Sequence, residues 1–343
     1  VTIGYIGGSI SDARTGYTWP EMVTRWFSDR FPSVRVLEEN AAIGATGSDL
    51  AVFRAQRDLI DPGCDLVFIE FAVNDGGEPT EKRRKTREGL IRKLLGGKGR
   101  DIVLVYTFGQ DMYTDMAADR VPPSIREFEE LGRHYGFGSV WMGLHAMEEV
   151  RHGRMKWEEW LPDGIHPQQR GSYSYAQSVI GFLEKELCGA ASRGGVAAGR
   201  QMVAPMDPRN WGSAVSLPFD AVELKGPWMV RRWPYYRWID QVLESSAPGA
   251  GLCFTIKGTG LLQGCYFGKT SAEFRYRIDK GPWHLSKRDR PAWCGNEGWF
   301  RTTLLAENLP KRAHSVEIMV VHGNQPECTG TNFRLGLIGI IRS

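Results

Sequence analysis

Four short segments carry residues whose types and spacing suit nucleophilic attack on an acyl group. The first is IGGSIS (6–11), where an apolar run ends in Gly7 and Gly8 and Ser9 follows directly. Ligands of a parallel α/β sheet gather at the carboxyl ends of its strands, so Ser9 stands where a nucleophile would. Taken singly, a Gly-Gly-Ser turn is more often structural. The second, NAAIGATGSD (40–49), is a glycine-rich loop in which Gly44 offers a bare backbone N–H. By itself it reads as a plain strand-to-helix connection. The third, FAVNDG (71–76), puts Asn74 at the end of the most apolar run. Its amide is a neutral donor suited to a developing oxyanion; an Asn-Asp-Gly turn is the plain alternative. The fourth, LPDGIHP (161–167), places Asp163 two residues short of His166. On a turn the carboxylate reaches the imidazole and fixes its tautomer. The other ring nitrogen is then left to take a proton from a serine.

The first ~185 residues hold elements able to present these segments at one edge. Apolar runs at 1–7, 34–41, 64–73, 101–109 and 139–144 read as strands. Helical patterns lie between and after them, at 18–31, 81–95, 122–136 and 172–189. The run at 122–136 opens with proline and ends at glycine, which are helix start and stop signals. Strand–helix alternation of this kind implies a parallel sheet covered by helices. The basic run EKRRK (81–85) reads as a solvated helix face, and Met112, Met116 and Trp160 read as core.

The pattern changes after residue 188. GAASRGGVAAGR reads as a linker over 189–200. Short alternating runs separated by turns then fill 201–343, the signature of an antiparallel sandwich or jelly roll. Of the 12 tryptophans, seven lie here. The segment RRWPYYRW (231–238) offers Trp233, Tyr235, Tyr236 and Trp238 among arginines. Flat aromatic rings stack on pyranose faces, so this segment reads either as a sugar-binding surface or as an edge strand half in the core.

Ser9, Gly44, Asn74, Asp163 and His166, taken together in this order, resemble the SGNH hydrolases, or GDSL-type esterases. The resemblance implies a flavodoxin-like three-layer α/β sandwich over residues 1–188. It implies Ser9 as nucleophile, His166 as general base and Asp163 as the acid that orients it. The oxyanion hole would comprise the Ser9 and Gly44 N–H groups and the Asn74 side chain. Where the family writes Gly-Asp-Ser-Leu, this chain has Gly7-Gly8-Ser9-Ile10. That departure, with NAAIGATGS and EFAVNDG, is similar to the carbohydrate-esterase branch. The C-terminal domain resembles, more loosely, the jelly-roll modules attached to acetylesterases.

The expectation is a serine esterase that deacetylates polysaccharide or oligosaccharide and needs no metal or organic cofactor. Two alternatives stay open: a lipid or thioester acylhydrolase, and a carbohydrate-binding protein that no longer catalyses. With 43 Lys+Arg against 40 Asp+Glu, the net charge of +3 argues against a dedicated nucleic-acid binder. No run approaches the ~20 apolar residues of a membrane span. The six cysteines make no CxxC pair and read either as buried free thiols or, for the four in the C-terminal part, as one or two disulfides. The first residues read as a strand rather than a leader, which slightly favours the cytoplasm. Secretion follows if a leader was removed before residue 1.

Overall fold

Five short runs in the first part of the chain form parallel strands: β1 (Thr2–Gly7), β2 (Leu37–Asn40), β3 (Leu66–Glu70), β4 (Asp101–Val105) and β5 (Gly138–Val140). The computed structural model describes residues 1–12, 17–96, 99–193, 202–234, 239–286, 294, 298–326 and 328–342. It divides into two units, Val1–Gly212 and Ser213–Ser343.

In the first unit the strand order is β2-β1-β3-β4-β5, with every neighbouring pair parallel. This is the flavodoxin-like order expected from the sequence, and its direction reverses between β1 and β3. The central strands are buried on both faces, as their apolar runs require: Ile3, Tyr5, Val67, Phe68, Leu104 and Val105 are all fully covered. The helices are α1 (Trp19–Arg30), α2 (Ser48–Ala55), α3 (Thr80–Leu95), α4 (Tyr113–Ala117), α5 (Pro123–Tyr135), α6 (Met142–Arg151), α7 (Trp157–Trp160) and α8 (Gln169–Arg193). One layer groups α1, α6 and α8; the other groups α2, α3 and α5. Trp19 of α1 meets the stacked Tyr5 and Phe68 rings edge-on, at 5.3 and 5.8 Å. Met112, Met116 and Trp160 lie in the core.

Three expectations need correction. The fifth strand stops at Val140, and residues 142–144 open α6, because Gly143 packs against the Phe108 backbone. The run at 81–85 is only in part a solvated face: Glu81 and Arg84 are exposed, but Arg83 and Lys85 of α3 are buried, as is Arg87 just beyond. Arg87 donates to Asp75 at 2.8 Å and to the Ser124 hydroxyl at 2.7 Å, and lies 4.1 Å over the Phe128 ring. Arg83 forks onto Glu127 with both bonds at 2.6 Å. The third correction concerns the domain boundary. α8 carries residues 189–193, residues 194–201 lie outside those described, and residues 202–212 belong to the first unit. Glu88 of α3 accepts the N–H groups of Met206 and Asp207 at 2.6 and 2.8 Å. Trp211 is buried beside Phe53. Gly89 lets this segment approach, since a Cβ there would lie 2.7 Å from the Trp211 backbone.

The second unit is an all-β sandwich. Its strands are β6 (Val215–Ser216), β7 (Glu223–Lys225), β8 (Met229–Arg232), β9 (Gln241–Ser245), β10 (Gly251–Lys257), β11 (Gly260–Phe267), β12 (Glu273–Ile278), β13 (His284–Leu285), β14 (Trp299–Ala306), β15 (Ala313–Val321) and β16 (Phe333–Ile341). They form antiparallel sheets of order β13-β12-β15-β10-β7 and β14-β11-β16-β9-β8, with β6 pairing β16. Leu252, Phe254, Phe274 and Ile318 from one sheet share a core with Leu243, Leu261, Phe333 and Leu335 from the other. Cys64, Cys265 and Cys328 are buried and Cys188 is exposed. Among the described residues no helix is long and apolar enough to cross a membrane.

The buried Arg87 generates a stability prediction. Removing one partner of a buried ion pair leaves the other charge uncompensated. Arg87→Ala should destabilise the first unit by on the order of 3–5 kcal/mol, read as a lower denaturant midpoint. A midpoint unchanged from wild type would mean that Asp75 is satisfied without it.

Candidate active site

The carboxyl ends of β1, β3 and β4 supply the floor of the site. β1 runs out at Gly7, and the chain turns at once: Ser11 and Asp12 N–H both donate to the Gly8 carbonyl, at 3.2 and 3.1 Å. The turn projects Ser9, which remains partly accessible. Its hydroxyl lies 2.8 Å from His166 Nε2, and His166 Nδ1 lies 2.6 Å from Asp163 Oδ2. The structure thus brings together three side chains that span 157 positions of sequence.

The Asp163–His166 arm is a self-contained turn. Asp163 Oδ1 accepts the backbone N–H groups of Ile165 and His166, at 2.9 and 2.7 Å. Gly164 adopts φ +83°, and the Gln110 side chain packs where a Cβ would project. Desolvation works against the Asp163 charge, but donation from His166 and Ile165 prevails and holds its carboxyl down to about 2. Both side chains are open to water, His166 by 50% and Asp163 by 54%. An ionised Asp163 on Nδ1 leaves Nε2 as the acceptor facing Ser9, the arrangement in which an imidazole takes a hydroxyl proton.

Asn74 follows the end of β3, in a turn closed by Asp75 N–H to the Phe71 carbonyl at 3.0 Å. Its amide lies over Gly8: a Cβ at position 8 would overlap it. Gly44 sits on the loop after β2, and its N–H donates to Asp12 Oδ2 at 3.2 Å. The left-handed residue of that loop is Ala45, with φ 59°, not Gly44.

Two carboxylates beneath the site escaped the sequence reading. Glu70 closes β3 with its side chain buried, and Asp75 follows Asn74, also buried. Asp75 accepts Ser48 N–H and hydroxyl at 2.9 and 2.8 Å, which fixes the start of α2 behind the Gly44 loop. Gly47 is bare for this reason, since its Cβ would lie 2.5 Å from Asp75 Oδ1. The signal available was an acid inside the otherwise apolar run CDLVFIEFAV.

Of the aromatic residues singled out in the second unit, Tyr235, Tyr236 and Trp238 lie outside the described residues. Trp233 is half-buried, edge-on to Tyr266 at 4.9 Å, with the Arg334 guanidinium 5.4 Å from its ring. Among the described residues no group of three or more His, Cys, Asp or Glu could hold a metal ion.

Residues 5–172 match the GDSL-like Lipase/Acylhydrolase family. Among solved structures the chain is similar to a two-domain esterase (CEX) active on acetylated mannans. The TM-score is 0.85 and the identity 21%, covering 100% of this chain and 92% of that one. The structure of that esterase co-crystallized with mannopentaose matches with TM-score 0.83 and 21% identity, covering 100% and 91%. At such identity the likeness is one of fold. Comparison with curated proteins gives no match.

The overlap at position 8 yields a coupled prediction. Gly8→Ala should push the Asn74 amide aside, and Asn74→Ala should remove it. Each should lower kcat for p-nitrophenyl acetate by roughly 100–1000-fold, the range for losing one oxyanion donor. The double variant should fall no further, because both changes remove the same group. Fully multiplicative losses would mean that the two residues act separately.

Proposed function

We propose that this chain, whose residues 5–172 form a domain of the GDSL-like lipase/acylhydrolase family, is a serine esterase that removes O-acetyl groups from a polysaccharide or its oligosaccharides. The observation that carries the reading is the relay from Ser9 through His166 to Asp163, at 2.8 and 2.6 Å. Ser9 Oγ attacks the acetyl carbonyl while His166 Nε2 takes its proton, and Asp163 stabilises the imidazolium that forms. The oxyanion is held by the Ser9 N–H, the Asn74 amide and the Gly44 N–H, which exchanges Asp12 for the substrate oxygen. His166 then protonates the departing sugar hydroxyl. A water that enters gives its proton to His166 and releases acetate from the acyl-enzyme. No step calls for a metal or an organic cofactor.

A carbohydrate substrate is favoured by the exposed acid–base pair, which leaves room for a group borne on a bulky polymer. The esterase of like fold is described as active on acetylated mannans, which makes an acetylated mannan the first substrate to test. On the second unit we read Trp233, with Tyr266 and Arg334, as a sugar-stacking surface. Tyr235, Tyr236 and Trp238 belong to the same proposal by sequence proximity alone.

Two experiments test these readings. Ser9→Ala should lower acetate release on the order of a million-fold, with an unchanged circular-dichroism spectrum; near wild-type turnover would discard the site. Trp233→Ala should raise KM for an acetylated manno-oligosaccharide by about fivefold, the loss of one stacked ring, while sparing p-nitrophenyl acetate. Equal losses on both substrates would assign Trp233 a purely structural part.

A further inference from the structure

Glu70 ends β3 directly beside Gly7 of β1, its register partner, and its side chain is almost wholly buried. Every described group that meets its carboxylate is a donor. Gly8 N–H reaches Oε2 at 3.3 Å, the Ser11 hydroxyl reaches Oε2 at 3.0 Å, and the Thr107 hydroxyl reaches Oε1 at 2.9 Å. The Ser11 oxygen accepts the Trp19 indole N–H at 3.0 Å while its hydroxyl donates to Glu70. Gly8 and Ser11 flank Ser9, so one carboxylate pins the nucleophile's turn at both shoulders. Gly7 must be bare as well, since a Cβ there would lie 2.8 Å from Glu70 Oε2.

Resting on the esterase reading above, we propose that Glu70 is a positioning residue for Ser9 and acts in its ionised form. Neutral Glu70 keeps its place but holds Gly8 and Ser11 with an uncharged acceptor, and bonds to an uncharged group are roughly half as strong. The proton arrives on Oε1, where the Thr107 hydroxyl can turn to accept it. Burial raises the Glu70 carboxyl, its three donors pull it back, and the nearby Asp75 carboxylate raises it, leaving it at about 7. Tyr175 of α8 is the other titratable group that senses Glu70, and it stays neutral because its own burial pushes it far up. Among the described residues no cation pairs with Glu70. The titration therefore falls where the enzyme is assayed, and its two consequences oppose each other. A raised carboxyl disfavours the folded state as pH climbs through about 7, whereas the ionised form is the one that holds Ser9.

The test is the acid limb of kcat/KM for p-nitrophenyl acetate in the full chain. Because neutral Glu70 still holds Gly8 and Ser11, its protonation should lower log(kcat/KM) by about one unit near pH 7, a step superimposed on the acid limb of the rest of the site. Glu70→Gln, which mimics the neutral acid, should lack that step. It also lowers kcat by about tenfold at pH 8, the difference between a charged and an uncharged acceptor, with KM little changed. Its melting temperature should no longer drop between pH 6 and 8 as that of wild type does. A wild-type kcat in Glu70→Gln, or the same step in the two profiles, overturns the proposal. Should Glu70→Gln fail to fold, a wild-type limb without the step overturns it alone, and a step that Thr107→Val shifts to higher pH upholds it. Ser9→Ala separates the two levels: activity surviving there removes the esterase reading, whereas a dead Ser9→Ala beside a wild-type-like Glu70→Gln removes only this inference.

Discussion

A carboxylate taken out of water must find donors inside the protein, and at the carboxyl end of β3 two of them do so within six residues. Glu70 takes the Gly8 N–H and the Ser11 hydroxyl from the loop after β1, and the Thr107 hydroxyl from the exit of β4. Asp75 takes the N–H and hydroxyl of Ser48 from the loop after β2, together with Arg87 from α3. An unpaired buried charge would be forbidding, so these bonds are obligatory rather than ornamental. Their effect is geometric. Four strand-end loops are tied to one place, and Ser9, the Gly44 loop and Asn74 ride on three of them. The reversal of strand order between β1 and β3 opens the cleft; the buried acids set where its lip stands.

The acid–base arm is held differently. Asp163 takes its two backbone donors from its own turn, at Ile165 and His166, and the Asp163 and His166 side chains stand half in solvent. Local turn bonds fix the orientation of the imidazole, while the position of the arm depends on contacts such as Gln110 against Gly164. The proposed site joins a half tied to buried carboxylates, which carries Ser9 and Asn74, to a more exposed half, which carries Asp163 and His166. Gly8 lies at the seam. It donates to Glu70 and gives the Asn74 amide its space, so a side chain there would have to displace that amide.

These two halves were unequally legible in the sequence. The arm was readable because its logic is local: Asp163 and His166 sit three apart, and one turn suffices to join them. The parallel sheet was readable because strands buried on both faces leave continuous apolar runs. The buried charges were not, since their partners are remote. Glu88 meets Met206 118 positions away, and Arg83 meets Glu127 44 away. A helix such as α3, rich in Lys and Arg, looks solvated until Glu127, Asp75 and the 202–212 segment are seen to cover it. The same remoteness displaced the domain boundary, because nothing near Trp211 in the sequence announces that it lies beside Phe53. Glu70 was hidden by its neighbours: one acid in an apolar strand left the apolar pattern intact, yet it was the residue most out of place there.

The exposure of His166 and Asp163 bears on how such a site gains its rate. Opposite charges facing water are screened, so the imidazolium formed during attack receives less from Asp163 in the open site than it would under cover. The buried side has no such deficit, because the Gly8 turn and the Asn74 amide are already oriented and need no reorganisation. On the esterase reading proposed above, substrate bulk that covers His166 raises the local field where proton transfer occurs, while the Gly44 N–H has first to leave Asp12. Binding contacts far from the ester are then expressed in the transition state as well as in affinity. The proposed reading of an ester carried on a large polar body draws its support from this half-exposed pair.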